Sequence, residues 1–255
     1  MTLAEFSDQF DVLYNNITSN QAPGLNEYEK SVVLTKAEKE VVKNYFTANS
    51  KGNNLGQGFD DSAKRQADFS LLMKTFHGEQ DNSLTEDSKI DYRSRVYTFP
   101  DDVFIVVNET ATFTIDNIKQ IKQVIPLRYD EYTRLMSKSF KRPVKNQVWR
   151  LMNSGSMGSD GHTTTKKVEL IFGPEVKADI TPTYILRYVR MPKPIIVGDL
   201  DGLKIDGYTS VNECEIDPIL HDDILQRAVE LAKVAWTTTG QENLQPVLAA
   251  GQRTE

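Results

Sequence analysis

The chain has 255 residues, of which 39% are hydrophobic and 26% charged, and a formal net charge of −6. That length supports one large or two small folded domains, and the acidic balance argues against general nucleic-acid binding. A single cysteine excludes an internal disulfide framework, no run reaches the ~18 apolar residues a membrane span needs, and the N-terminus lacks the basic and apolar regions of a signal peptide, so a soluble protein made in a cytoplasm, without a membrane partner, is expected.

Thr2 to Ile17 is predicted as an amphipathic helix capped by Thr2, with Leu3, Phe6, Phe10, Leu13, Tyr14 and Ile17 at helical spacing. After the breaker Asn20-Gln-Ala-Pro-Gly24, a second helix is expected from Asn26 to Phe46, burying Tyr28, Val32, Val33, Ala37, Val41 and Tyr45. Ala48 to Gly58 reads as a loop, and Asp60 to Phe76 as a third helix with acids at its N-terminal end and Ala63, Ala67, Leu71 and Phe76 on its buried side. The pattern then changes. Tyr92 to Phe99, Val103 to Asn108, Thr110 to Ile115, Lys167 to Phe172 and Thr183 to Arg190 read as strands, with Pro100-Asp-Asp as a break. Asp130 to Met136 is predicted as a short helix. Asn146 to Met152 fits strand or helix equally, and Asn153 to Thr165 reads as a hairpin tip or exposed loop. Glycines 202 and 207 mark turns. A last helix starts at Pro218, with Ile219, Leu220, Ile224, Leu225, Ala228, Leu231, Ala232 and Ala235 as a broad apolar stripe and Trp236 at its end.

Helices, then strands, then a helix predict an α+β fold. The expectation is that the N- and C-terminal helices pack as a helical bundle and that a central strand-rich lobe projects from it. In residues, this is a helical domain of 1–77 with 213–240, a β-rich domain of 90–212 with a basic helical insertion at 128–150, and a flexible tail at 241–255.

The search for chemistry returns little. His77, His162 and His221 are far apart and belong to no metal-binding spacing, so they read as solvent-facing or capping residues. Cys214 lies between Glu213 and Glu215, and acids raise a thiol's pKa, the wrong direction for a nucleophile. The glycines at 52, 56 and 58 lack the Lys-Ser/Thr ending of a phosphate loop, and Ser154-Gly-Ser-Met-Gly158 has the wrong spacing for a nucleophile elbow. Asp101/Asp102 and Asp222/Asp223 are sequence neighbours, whose side chains diverge, so neither pair makes an acid/base dyad. No enzyme activity and no cofactor or metal are expected.

Charge is segregated instead. Residues 128–150 hold seven Lys/Arg against two acids, a net of +5, while 213–230 hold six acids against Arg227. Aromatic residues are interleaved with the basic ones. Arg128, Tyr132, Arg134, Lys138, Lys141, Arg142, Lys145, Trp149 and Arg150 are the candidate interface on the basic side, and Glu215, Asp222, Asp223 and Glu230 on the acidic side. Three readings of the basic block stay open: a solvated face, a protein interface, or a contact with DNA phosphates. Separate plus and minus faces let copies of one chain bind head to tail, the simplest route to a closed ring.

Several segments also resemble a known family. They are Asn15 to Ala37 around Gln21-Ala-Pro-Gly24, Arg128-Tyr-Asp-Glu-Tyr-Thr-Arg-Leu-Met-Ser-Lys138 with Lys141-Arg-Pro143 and Gln147-Val-Trp-Arg150, Tyr188-Val-Arg-Met-Pro-Lys-Pro-Ile-Ile196, and Cys214-Glu215 with Leu220-His-Asp-Asp-Ile-Leu-Gln-Arg-Ala-Val-Glu-Leu-Ala232. Together they resemble neck or ring virion proteins of crAss-like tailed bacteriophages. The resemblance covers most of the chain. It implies a structural protein of the virion neck, assembled in the host cytoplasm as a homo-oligomeric ring, with twelve copies implied by attachment to a portal. The implied partners are further copies of itself, the portal, other neck and tail ring proteins, and passive contact with genomic DNA. The family brings no catalytic residues.

Overall fold

The computed structural model describes residues 1–17, 24–47, 67–80, 89–91, 94–115, 118–138, 143, 147–153, 156–157, 164–173, 176, 180 and 182–236. The chain divides into two compact units, one of Met1–Leu72 with Met191–Glu255 and the other of Met73–Arg190.

The second unit is a curled sheet. Its strands are β1 (Met73–Gly78), β2 (Ser94–Phe99), β3 (Val103–Ile115), β4 (Ile118–Pro126), β5 (Gln147–Met152), β7 (Thr164–Ile171) and β8 (Thr183–Arg190), in the order β1-β8-β3-β4-β5-β7-β2. A two-residue strand, β6 (Ser156–Met157), pairs with the start of β7. All pairings are antiparallel except β4 with β5. The sheet curls far enough for Gln80, just past β1, to bridge Tyr97 in β2 at the other end of the strand order.

Period-two alternation sorts the side chains. Tyr97, Ala111, Phe113, Val148, Val168, Leu170, Tyr184, Leu186 and Tyr188 form the main core. Trp149, Leu151 and Ile171 take alternate positions and form a second cluster. A parallel pair cannot be joined by a tight turn, so the chain must cross over between β4 and β5. The crossover contains a helix, α3 (Tyr129–Met136), whose Tyr132, Leu135 and Met136 cover the second cluster. The ambiguous 146–152 stretch is therefore a strand. The two strands expected at 103–108 and 110–115 are one long strand with irregular register between Val103 and Asn108.

The first unit carries α1 (Leu3–Ile17), α2 (Glu27–Thr47) and α4 (His221–Trp236), the last entered through a 3-10 turn at Pro218–Leu220. Two reciprocal capping boxes start α1 and α2. Thr2 Oγ1 accepts from Glu5 N–H and Glu5 Oε2 from Thr2 N–H, and Asn26 with Glu29 does the same. Segment 191–217 has no helix. It turns twice through Asp-Gly pairs with positive φ at both residues, Asp201-Gly202 and Asp206-Gly207, and the second closes a hairpin by mutual bonds between Ile205 and Tyr208.

The expected architecture is overturned. The described residues are strand-rich, built on a curled seven-strand sheet with short helices, and among them the N- and C-terminal helices do not form a bundle. The reason lies in α2. It gives much of its buried face to segment 191–217: Thr35 donates to Ile195 O, Ser31 Oγ accepts from Val197 N–H, and Cys214 Sγ donates to Glu38 Oε1. Its buried positions are accordingly polar as often as apolar, namely Lys30, Ser31, Leu34, Thr35, Ala37, Glu38 and Val42. Val32, which periodicity placed inside, is exposed. The third helix is also corrected. Only Ala67 and Asp68 are helical among its described residues, and β1 begins at Met73, where Tyr184, Leu186 and Tyr188 of β8 provide a pairing edge and a core.

Candidate assembly surface

The basic block is the β4–β5 crossover, and its position divides it in two. One part is consumed by the fold. Trp149 is buried and Tyr132 donates its hydroxyl to Asp91 Oδ2 at 3.1 Å. Arg150 points onto the sheet, where its Nε stands 3.2 Å from Glu109 Oε2 and its guanidinium lies 5.9 Å from the centre of the Phe99 ring. Glu109 also accepts from the Tyr184 hydroxyl at 2.7 Å. Burial pushes the Glu109 pKa up, and Arg150 and Tyr184 oppose that shift. The Tyr184 hydroxyl is pushed far up by burial and by the same carboxylate. This triad is a structural ion pair.

The other part stays outside. Arg128, Arg134 and Lys138 on and beside α3 are exposed, and the Arg128 side chain forms a surface pair with Asp130 at 3.5 Å. Lys141, Arg142 and Lys145 lie outside the described residues.

The acidic segment divides the same way. Glu215 is held by Lys193, through the side chain at 3.2 Å and the backbone N–H at 3.2 Å. Glu230 joins a three-member ion pair in which Arg227 bridges it, at 2.9 Å, to Glu40 of α2 at 2.7 Å. Asp217 caps the 3-10 turn by accepting from Ile219 N–H. Asp222 and Asp223 sit exposed in the first turn of α4, where the helix dipole favours acids. Of the thirteen candidate residues, Arg128, Arg134, Lys138, Asp222 and Asp223 are therefore the described ones left for partners.

Two other sequence readings change. His221 caps the 3-10 turn at its C-terminal end, its N–H donating to Pro218 O, but its side chain is buried and not solvent-facing. Its Nδ1 takes a 2.8 Å bond from the Met1 amino group and its Nε2 lies 3.0 Å from Ile216 O, an arrangement that fits the Nε2–H tautomer. Burial lowers its pKa. The Cys214 thiol is pushed up mainly by burial, then by Glu38, a residue distant in sequence. Among the described residues no group of three His, Cys, Asp or Glu side chains can hold a metal ion, and no helix is long and apolar enough to cross a membrane.

What the sequence reading missed is the exposed apolar chain outside the charged block. Ile118 and Ile121 of β4, and Leu203, Val211 and Ile219 of the first unit, are among the most exposed large apolar residues described.

Comparison with known proteins places these surfaces in context. The chain is 47% identical over 260 residues to Ring protein 4/5 of Bacteroides phage crAss001, covering all of both proteins. It is 31% identical to Ring protein 3 of the same phage over 246 residues, covering 93% of this chain and 97% of that protein. The family described as phage tail ring protein 3/4 matches residues 1–244. The chain thus belongs to the crAss-like phage tail ring proteins, structural components of the virion.

Proposed function

We propose that copies of this chain close into a ring, twelve by the symmetry expected of a portal-attached assembly, which extends the DNA channel between portal and tail without catalysing a reaction. Adjacent copies meet through opposite charges. Arg134 and Lys138, with Lys141, Arg142 and Lys145 from the same crossover, face Asp222 and Asp223 of a neighbour or an acidic surface of the portal. The observation that carries this reading is that the described cations of α3 stay outside the core in a chain whose full-length relative is a ring protein.

Passive contact with DNA phosphates is the weaker use of the same block, because Trp149 and Arg150 are taken into the fold and cannot reach a backbone. A charge swap tests the ring reading. Arg134→Glu and Asp222→Lys are each expected to weaken self-association by light scattering, and an equimolar mix of the two variants to recover part of it. Failure of every such pairing across the two segments rejects complementary faces. Loss of affinity for duplex DNA with rising salt, without any self-association, would instead favour phosphate contact.

A further inference from the structure

The β3–β4 hairpin extends past the sheet that supports it. β8 pairs with β3 as far as Thr112, and β5 pairs with β4 only from Gln123 onward. Beyond those positions the two strands pair with each other alone among the described residues, ending with Ile115 opposite Ile118. At the base of this arm Lys122 is buried, its Nζ 4.8 Å over the Phe113 ring. Past that point every residue of Ile118–Ile121 is exposed, Ile118 at 63% and Ile121 at 67%. Three positions apart on a strand, the two isoleucines stand on opposite faces of the ribbon. A two-stranded ribbon alone is marginal in water, and a bare apolar strand edge is normally paired, charged or covered. An arm with apolar side chains on both faces is suited to insertion against another surface.

A stretch of the first unit has the complementary character. Residues 199–223 hold eight acids and one lysine; Asp206 and Glu215 are taken by Lys39 and Lys193, and Asp199, Asp201, Glu213, Asp222 and Asp223 stay exposed. The same stretch exposes Leu203, Tyr208, Val211 and Ile219. Apolar side chains among acids match a ribbon of isoleucine and lysine both in hydrophobicity and in sign of charge.

We infer that the β3–β4 arm of one copy docks on the 199–223 segment of a second copy of this chain, with Ile118 and Ile121 against its exposed apolar side chains and Lys119 beside its acids. The inference rests on the ring reading, since it needs copies to meet side by side. It adds an apolar anchor to an interface otherwise made of exposed charges, which by themselves contribute little.

The test replaces both isoleucines by serine, leaving net charge unchanged, and follows self-association by sedimentation velocity with thermal unfolding as the folding control. I118S/I121S is expected to associate at least tenfold more weakly while its melting transition stays within a few degrees of wild type. A second arm uses a Cys214→Ser background, in which I121C and I219C chains, when mixed, form a disulfide-linked pair. Wild-type association of I118S/I121S, with Arg134→Glu still disruptive, overturns the arm and leaves the charged-face reading standing. A wild-type chain that never self-associates overturns both. Cross-linking of I121C to itself in place of I219C puts arm against arm and overturns the choice of surface.

Discussion

The basic crossover and the acidic 213–230 segment look equivalent as sequence, each a charged block waiting for a partner, yet they fold by different rules. The crossover threads through a sheet, so the pleat assigns each residue to a side. Arg150 and Trp149 follow β5 into packed surroundings, while Arg134 and Lys138 ride out on a short helix. The acidic segment leads into and along a helix, so its acids are sorted by the helix end and by α2. Asp222 and Asp223 stay in the exposed first turn, and Glu230 is drawn to Arg227. Net charge in a window of sequence is thus a poor measure of charge offered to a partner. Strand phase and helix position decide which part of it reaches the surface.

The sharpest way to break this comparison is Arg150→Ala. If Arg150 belongs to the fold, its loss leaves the Glu109 carboxylate buried without its cation, and chemical denaturation is expected to show a loss of about 3–5 kcal/mol. Adding Glu109→Gln should recover part of that. A change under about 0.5 kcal/mol would return Arg150 to the surface set.

A smaller effect is expected at His221, where the acidic segment meets the N-terminus. Burial lowers the folded-state pKa, the bond to Ile216 O opposes it, the Met1 ammonium adds to the lowering, and Asp217 and Asp222 oppose it more weakly. The unfolded chain therefore takes up a proton first. Stability from the neutral imidazole is complete above the unfolded value of about 6.5 and is lost as pH falls toward the folded value. Urea midpoints between pH 8 and 5 should fall in the wild type more steeply than in His221→Gln. Equal slopes would remove this histidine from the account.

The smallest stability effect belongs to the residues assigned to partners. Asp222→Lys forfeits only a favourable helix-end charge, at most about 1 kcal/mol, and Arg134→Glu about 0.5 kcal/mol or less. Both should change association far more than unfolding. A large loss of stability from either would show that the charge is used inside the chain.

Much of the local structure was legible from residues alone. Thr2 and Asn26, each three residues before a glutamate, announce the starts of α1 and α2, and the Asp-Gly pairs announce the turns at 201–202 and 206–207. Alternation located β2, β7 and β8. The family was legible too, because it is carried by whole phrases of sequence. The expected 60–76 helix is wrong at its C-terminal end because short apolar spacing fits a helix or a strand, and the β8 edge that settles Met73–Gly78 as a strand lies more than a hundred residues away.

The sequence by itself determined the capping boxes, the tight turns, most strand and helix positions and the membership in a ring-protein family, since each depends on residues close in the chain or on the chain as a text. Only the tertiary structure decided that β4 and β5 run parallel, that the basic block is their crossover, that α2 packs against an irregular segment in place of a bundle, and that the β3–β4 hairpin outruns its sheet. Those outcomes depend on which distant strand ends where, and burial of a charge such as Arg150 depends on a partner, Glu109, that local pattern does not reveal.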